Sequence, residues 1–202
     1  IEGFLIFTSV FFAFLLTEYR KSQKDTATLE ISLQHIALEM KYNHKRIAFI
    51  FEYHTDLLYE IDSLELQIDS NWEKLDGSDL KCWKGLQTPV LRSTAYQTFL
   101  NSNIIDDIEF ELAESLSRIY NTQSISERFD KSLMESFMTG SEDFTSLPRL
   151  KNLTLAYLST LPDVMLEYQI IKKNWLNKYG YNFPIKNKAL KKVVNKRMLY
   201  RI

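Results

Sequence analysis

Apolar residues recur at alternating steps of four and three along the first third of the chain. A repeat of 3.5 residues, kept for more than five heptads, is typical of a helix with one buried face. Asn43 and His54 are the only polar residues in this series, which we name the seam. Its apolar members are Leu29, Leu33, Ile36, Met40, Ile47, Ile50, Leu57, Ile61, Leu64 and Ile68.

Further apolar residues lie beside the seam and widen it. A wide stripe favours a helical bundle over an isolated two-stranded coiled coil. No Gly or Pro occurs between Gly3 and Gly77, so nothing in the backbone chemistry interrupts a single long helix. We therefore expect this helix to bury its seam against later helices of the chain, against another copy, or against both. The widening residues are Phe49, Phe51, Tyr53, Leu58 and Leu66.

The helix is preceded by an uncharged apolar segment. Residues 3–16 read GFLIFTSVFFAFLL and rise about 21 Å as a helix, against a hydrocarbon core of about 30 Å. Extending the helix to Ile1 and Tyr19 closes most of this difference in length. Because the chain begins with Ile rather than Met, we expect further residues upstream. A cleaved signal peptide and a buried core helix are the alternatives, but no cleavage motif of small residues follows. We predict a single membrane span.

The residues after the apolar segment indicate its orientation. Tyr19, Arg20 and Lys21 are the residue types that a membrane–water interface favours. With Lys24, they place this end of the span on the cytoplasmic side by the positive-inside rule. We therefore expect the bulk of the chain in the cytoplasm.

Turn and cap residues divide the rest of the chain into further helices. Residues 76–78, Asp-Gly-Ser, predict a turn. Thr88 and Pro89 predict the N-cap and first position of a helix that runs to about Asn101. Asp106 predicts the cap of a helix from about 107 to 139, which ends before a glycine and which residues 121–124 could interrupt.

Prolines mark the remaining helix starts. Leu147 and Pro148 predict a helix, and Pro162 either kinks that helix or begins a separate one that ends near Gly180. Residues from 186 onward predict a last short basic helix. Because no segment alternates convincingly as a strand, the chain is expected to be all-α, with four to six helices packed on the long one. The expected domains are 1–20 as anchor, 21–185 as helical bundle and 186–202 as basic helix or tail.

Charge is distributed unevenly, although 25 basic and 26 acidic residues nearly balance. After Glu167 no acidic residue occurs, whereas ten basic residues do. Such a cluster predicts contact with anionic lipid headgroups or with an acidic protein surface. Nucleic acid is the less favoured partner, given the anchor. The residues of the expected contact are Lys186, Lys188, Lys191, Lys192, Lys196, Arg197 and Arg201.

Few residues are candidates for metal binding or catalysis. His35 and Glu39 lie one helical turn apart, but a metal site needs three or four ligands, so we expect no metal and no cofactor. Cys82 has Lys81 and Lys84 beside it, which could lower its thiol pKa, yet a plain half-buried cysteine is the more frequent case. No phosphate-binding loop, nucleophile elbow or zinc-type His-Glu-x-x-His motif occurs. We therefore expect a protein that is not an enzyme.

The polar residues of the seam have two interpretations. His54 could titrate near neutral pH as a switch, or it could be a hydrogen-bonded core histidine. Asn43 could set the register of packed helices. Burial in the seam is expected to disfavour the charged form of His54.

Two segments carry a family resemblance. Glu2, the apolar segment and the Tyr19–Arg20 step resemble the anchor of an uncharacterised family of bacterial single-pass membrane proteins, in which Trp stands at the position of Tyr19. Residues 95–120, AYQTFLNSNIIDDIEFELAESLSRIY, are similar to a later segment of that family, with Asn103 in place of a Gly. The resemblance implies a single-pass helical protein of a bacterial inner membrane and implies no activity.

The leading hypothesis from the sequence is a membrane-anchored helical scaffold or subunit of a larger assembly that acts through helix–helix association. Its expected partners are the lipid bilayer and either further copies of the chain or other subunits. The alternative is an effector that perturbs the bilayer under the control of its cytoplasmic helices.

Overall fold

The longest element, α1, runs without interruption from Glu2 to Gln67. The computed structural model describes residues 2–68, 74–102, 105, 108–139, 145–175 and 188–199. Helices α2 (Thr94–Leu100), α3 (Phe110–Thr139), α4 (Leu147–Asn174) and α5 (Lys188–Leu199) follow α1. A short 3₁₀ turn, Gly77–Asp79, lies between α1 and α2. The described residues contain no strand, so the all-α prediction is confirmed.

Helix α4 lies at the centre of the packing, because α1, α3 and α5 all contact it, while α2 packs on α1. Helix α4 runs antiparallel to α1: near its start Lys151 pairs with Asp62 at 2.9 Å, whereas Lys172, near its end, lies close to His44. The end of α4 therefore points back toward the apolar segment of α1. Residues buried on α1 between Leu33 and Phe51 form the main core with α2, α3, α4 and α5.

The seam is buried by the chain's own helices. Its members from Leu33 to Ile61 are all buried, whereas Leu29, Leu64 and Ile68 at its two ends are half-buried. The wider stripe is confirmed only in part. Phe51 and Tyr53 are buried, but Phe49 and Leu66 are exposed, because they lie on parts of α1 that no other described helix covers.

The connection after α1 forms the predicted turn. The Asp76 carboxylate accepts from the Ser78 N–H at 2.6 Å, and the Asp79 carboxylate accepts from the Asp76 N–H at 3.0 Å. Gly77 is required here, since an added Cβ would lie 2.8 Å from the Trp83 ring. The turn also contacts the segment that leads into α4, because Gly77 N–H donates to the Thr145 carbonyl at 2.8 Å.

The predicted helix start at Thr88 and Pro89 is wrong, because α2 begins at Thr94. A helix there needs the Arg92 N–H to donate to the Thr88 carbonyl. Instead the Arg92 N–H donates to the Asn43 side chain, and the Thr88 carbonyl accepts from Arg46. Side chains of α1 thus hold residues 85–93, which we name the strap, outside any helix.

Other helix boundaries agree better with the sequence. Helix α4 begins at Leu147 with Pro148 in its first turn, as predicted, and it continues through Pro162 with no separate helix there. It ends at Asn174, and residues 176–187, which include the predicted end at Gly180, lie outside the described residues. Helix α3 starts at Phe110 and is continuous across residues 121–124, while Asp106 also lies outside the described residues.

Candidate membrane anchor and polar seam

The apolar start of α1 is the one described segment long and apolar enough to span a membrane. Its most apolar stretch of 18 residues has a mean hydropathy of 1.4, and none of that stretch is buried in the protein. Large side chains such as Phe4, Phe7 and Phe12 are 59–74% exposed. A soluble core helix would bury these rings, so the segment is available for burial in another apolar environment.

Polar side chains in this segment satisfy their hydrogen bonds within the helix. The Thr8 hydroxyl donates to the Phe4 carbonyl at 2.7 Å, and the Thr17 hydroxyl donates to the Ala13 carbonyl at 2.8 Å. Hydrocarbon offers no partner to a free hydroxyl, and these bonds lower the cost of placing Thr there.

The predicted interface residues lie directly after the apolar segment and are exposed. Tyr19, Arg20 and Lys21 occupy consecutive positions of α1, and Gln23 donates to the Tyr19 hydroxyl at 3.4 Å. Residues 17–28 separate the apolar segment from the core and are mostly exposed. As a helix they span about 18 Å. The bundle is thus joined to the apolar segment by a continuous helical stalk.

The Asn43 side chain binds the backbone of the strap at Arg92. Its amide Nδ2 donates to the Arg92 carbonyl at 2.8 Å, and its Oδ1 accepts from the Arg92 N–H at 2.8 Å. Gln123 on α3 donates to the same carbonyl at 2.9 Å and accepts from the Tyr168 hydroxyl of α4 at 2.9 Å. One buried polar position of the seam therefore ties together α1, the strap, α3 and α4.

His54 holds the strap about three helical turns further along α1 than Asn43 does. Its Nε2 lies 3.0 Å from the Gln87 carbonyl and its Nδ1 lies 3.4 Å from the Thr154 hydroxyl. Its ring stacks on Tyr157 with the centroids 4.5 Å apart. Burial lowers the pKa of His54 to about 4, although the Gln87 carbonyl acts in the opposite direction. The side chain is therefore neutral at physiological pH.

Glu39 is a buried residue of this network whose role could not be inferred from the sequence. Its carboxylate accepts from the Ala95 N–H at the start of α2 at 2.8 Å and from the Tyr120 hydroxyl of α3 at 2.6 Å. The Tyr120 ring stacks on Tyr96 with centroids 4.0 Å apart. His35, its neighbour one turn away, is exposed, and the described residues contain no cluster able to hold a metal.

A second buried carboxylate, which the sequence pattern did not single out, joins α3 to α4. Glu167 is 2% exposed and accepts from Arg118 Nε at 2.9 Å. Each of the three polar residues Glu39, Gln123 and Glu167 follows an apolar or aromatic residue by three positions (Ile36, Tyr120 and Val164), and this is the helical periodicity of a buried face.

Cys82 is an unreactive thiol at neutral pH. Burial, together with the nearby Glu60 carboxylate, raises its pKa to about 12. The same carboxylate accepts from the N–H groups of Lys81 and Cys82 at 2.7 and 2.9 Å. The lowered thiol pKa considered from the sequence does not occur, because burial and the Glu60 carboxylate both raise this pKa.

The basic tail is partly described. Lys188, Lys191 and Lys192 are exposed on α5, while Leu190 and Val194 of the same helix are buried in the main core. Lys186 and Arg201 lie outside the described residues, as do the side chains of Lys196 and Arg197. Helix α5 therefore packs through Leu190 and Val194 and presents Lys188, Lys191 and Lys192 outward.

Comparisons with protein-family models, with curated proteins and with solved structures gave no match to this chain. The resemblance to bacterial single-pass membrane proteins therefore rests on the residues quoted above.

Proposed function

We propose that the chain is a membrane-anchored helical scaffold, or a subunit of a larger membrane-associated assembly, which acts through helix–helix association. The observation that carries this proposal is the exposure of the apolar start of α1 beside a bundle whose own core is filled. Each large side chain moved from water into hydrocarbon contributes about 1.5–3 kcal/mol.

The orientation follows from the positive-inside rule, with Arg20, Lys21 and Lys24 and the bundle on the cytoplasmic side. Because α1 is continuous, the membrane segment and the bundle form one rod joined by the stalk at residues 17–28. A rod of this kind holds the bundle about 18 Å from the bilayer surface, where its sides are accessible to partner proteins. The lysines of α5 are a further candidate contact, with anionic lipid or with an acidic protein surface.

Membrane extraction tests the anchor. The full chain should stay with the membrane pellet after a carbonate wash, and Val10→Arg should release a large fraction of it, since Arg at a span centre costs about 3 kcal/mol on insertion scales. Val90→Arg is the matched control, because Val90 is similarly exposed but lies in the strap. Recovery of the unaltered chain in the supernatant would refute the membrane span.

A leakage assay separates the scaffold from a bilayer-perturbing effector. A scaffold should leave membrane ion permeability unchanged on expression. Ion leakage that depends on residues 1–19 would overturn the scaffold in favour of the effector.

A further inference from the structure

Helix α1 carries a second apolar stripe outside the anchor, on the side away from the seam. Ile31, Leu38, Tyr42 and Phe49 follow one another at steps of seven, four and seven, so they share one face. At 100° per residue this stripe lies roughly 140° around the helix from the seam. These four side chains are 41–53% exposed, and we name this side the outer face of α1.

Two guanidinium groups are already positioned on the aromatic rings of the outer face. The Arg92 guanidinium carbon lies 3.6 Å from the centroid of Tyr42, and that of Arg46 lies 5.5 Å from the centroid of Phe49. Arg46 also donates to the Thr88 carbonyl at 3.0 Å. Cation–π contacts and this hydrogen bond limit the side-chain freedom that a partner would otherwise have to restrict.

The outer face is cationic between Leu38 and Phe49. Lys41 and Lys45 are exposed, and neither belongs to an ion pair in the part of the chain that the structure describes. The one carboxylate in this stretch, Glu39, is buried and accepts the two hydrogen bonds described above. The stripe is therefore flanked by four cations without an exposed anion among them.

A groove continues the outer face toward α2. This cavity of about 640 Å³ is lined by Leu38 of the outer face, by Arg92 of the strap, and by His35, Thr94 and Thr98 beside them. An occupant of the stripe could therefore extend between α1 and α2.

Distance and charge decide which occupant fits. Lys41 lies about 22 residues, or roughly 33 Å of helix, beyond Tyr19, several Debye lengths from an interface placed at that tyrosine. Lipid of the same bilayer is therefore a poor match. A second copy anchored in the same membrane would lie parallel and would set Lys41, Lys45 and Arg46 against the same residues, at a cost in repulsion.

We propose that the outer face of α1 docks an acidic amphipathic helix of a partner protein. The apolar side of that helix packs on Leu38, Tyr42 and Phe49, and its carboxylates pair with Lys41 and Lys45. This mode of recognition places apolar anchors of a helix in a groove with complementary charge at the rim. The inference rests on the proposed scaffold function, for which it names the class of partner.

Peptide binding to the full chain in a non-ionic detergent tests the docking surface. The probe is a fluorescein-labelled synthetic helix of about 18 residues with Leu and Phe along one face and Glu along its flanks. Its affinity, measured by anisotropy, should exceed by at least about tenfold that of the same peptide with Lys in place of Glu, and should fall as salt rises.

Two charge reversals of equal size locate the site. The double variant Lys41→Glu with Lys45→Glu should lower the affinity for the acidic peptide at least about tenfold. Phe49→Ala should lower this affinity to a similar extent without a change of charge. Lys191→Glu with Lys192→Glu, the matched control on α5, should leave the affinity within about twofold. Circular dichroism of each variant checks that the helices are intact.

Three results would overturn the docking proposal. They are equal affinity for the acidic and basic peptides, equal losses from the two charge reversals, and displacement of the peptide by a single-stranded RNA at a lower concentration than unlabelled peptide. None of them affects the carbonate extraction, so failure of this inference is distinguishable from failure of the membrane anchor.

Discussion

Acid should destabilise the bundle through His54. The Gln87 carbonyl can only accept a hydrogen bond, so Nε2 carries the proton of the neutral ring and Nδ1 accepts from the Thr154 hydroxyl. Protonation would place a charge between this hydroxyl and the Tyr157 ring, inside the core. The neutral ring is therefore the form that the folded bundle selects.

The size of the effect follows from the pKa. Burial lowers the pKa of His54 from 6.5 to about 4, so the unfolded chain binds more protons than the folded chain between these values. The stabilisation is complete above pH 6.5 and is lost as the pH falls toward 4, by about 3 kcal/mol. Burial, with the charge of Lys172, also lowers the pKa of His44 to about 4. Burial raises the pKa of Asp130 to about 7, which acts in the opposite direction, because the folded chain then binds this proton more tightly than the unfolded chain. The net loss on acidification is therefore smaller than the roughly 6 kcal/mol of the two histidines together.

Urea unfolding of the full chain in non-ionic detergent, followed by circular dichroism between pH 7 and 4.5, measures this loss. His54→Leu should be less stable at pH 7 by about 1–3 kcal/mol, because the Gln87 carbonyl loses its donor. The pH dependence of the same variant should be smaller than that of the wild type by about 2–3 kcal/mol over this range, which is the contribution of His54 alone. His35→Leu, at an exposed position, is the control and should follow the wild type. A full wild-type pH dependence in His54→Leu would refute the assignment.

Two further stability measurements test the seam. Asn43→Leu should destabilise the bundle by about 2–3 kcal/mol, because the Arg92 N–H loses its acceptor, whereas a register-setting Asn between copies of α1 would make the same change stabilising. Ile50→Asp should cost several kcal/mol by burying a carboxylate, and Lys45→Asp on the outer face should stay within about 0.5 kcal/mol, as thermal melts of both variants would show. A silent Ile50→Asp would contradict burial of the seam.

The strap shows where local sequence rules lose to tertiary contacts. Thr88 and Pro89 are good helix-starting residues, and in isolation they favour a helix at that point. The backbone groups that such a helix would pair, the Thr88 carbonyl and the Arg92 N–H, instead bond to Arg46 and Asn43. These partners lie more than 40 residues away in the chain. Local propensity is worth less than a set of buried hydrogen bonds, so the strap stays non-helical.

The sequence by itself determined the helical class, the apolar N-terminal segment and the buried face of α1. All three depend on the spacing of residue types along one helix, and that spacing is a local property. Only the tertiary structure decided that the seam is covered by the chain's own α2, α3 and α4 and that Asn43 and His54 bind the backbone of the strap. A polar residue in an apolar stripe signals that a partner exists, but the identity of that partner depends on which distant segment the fold brings within about 3 Å, and no periodicity encodes that.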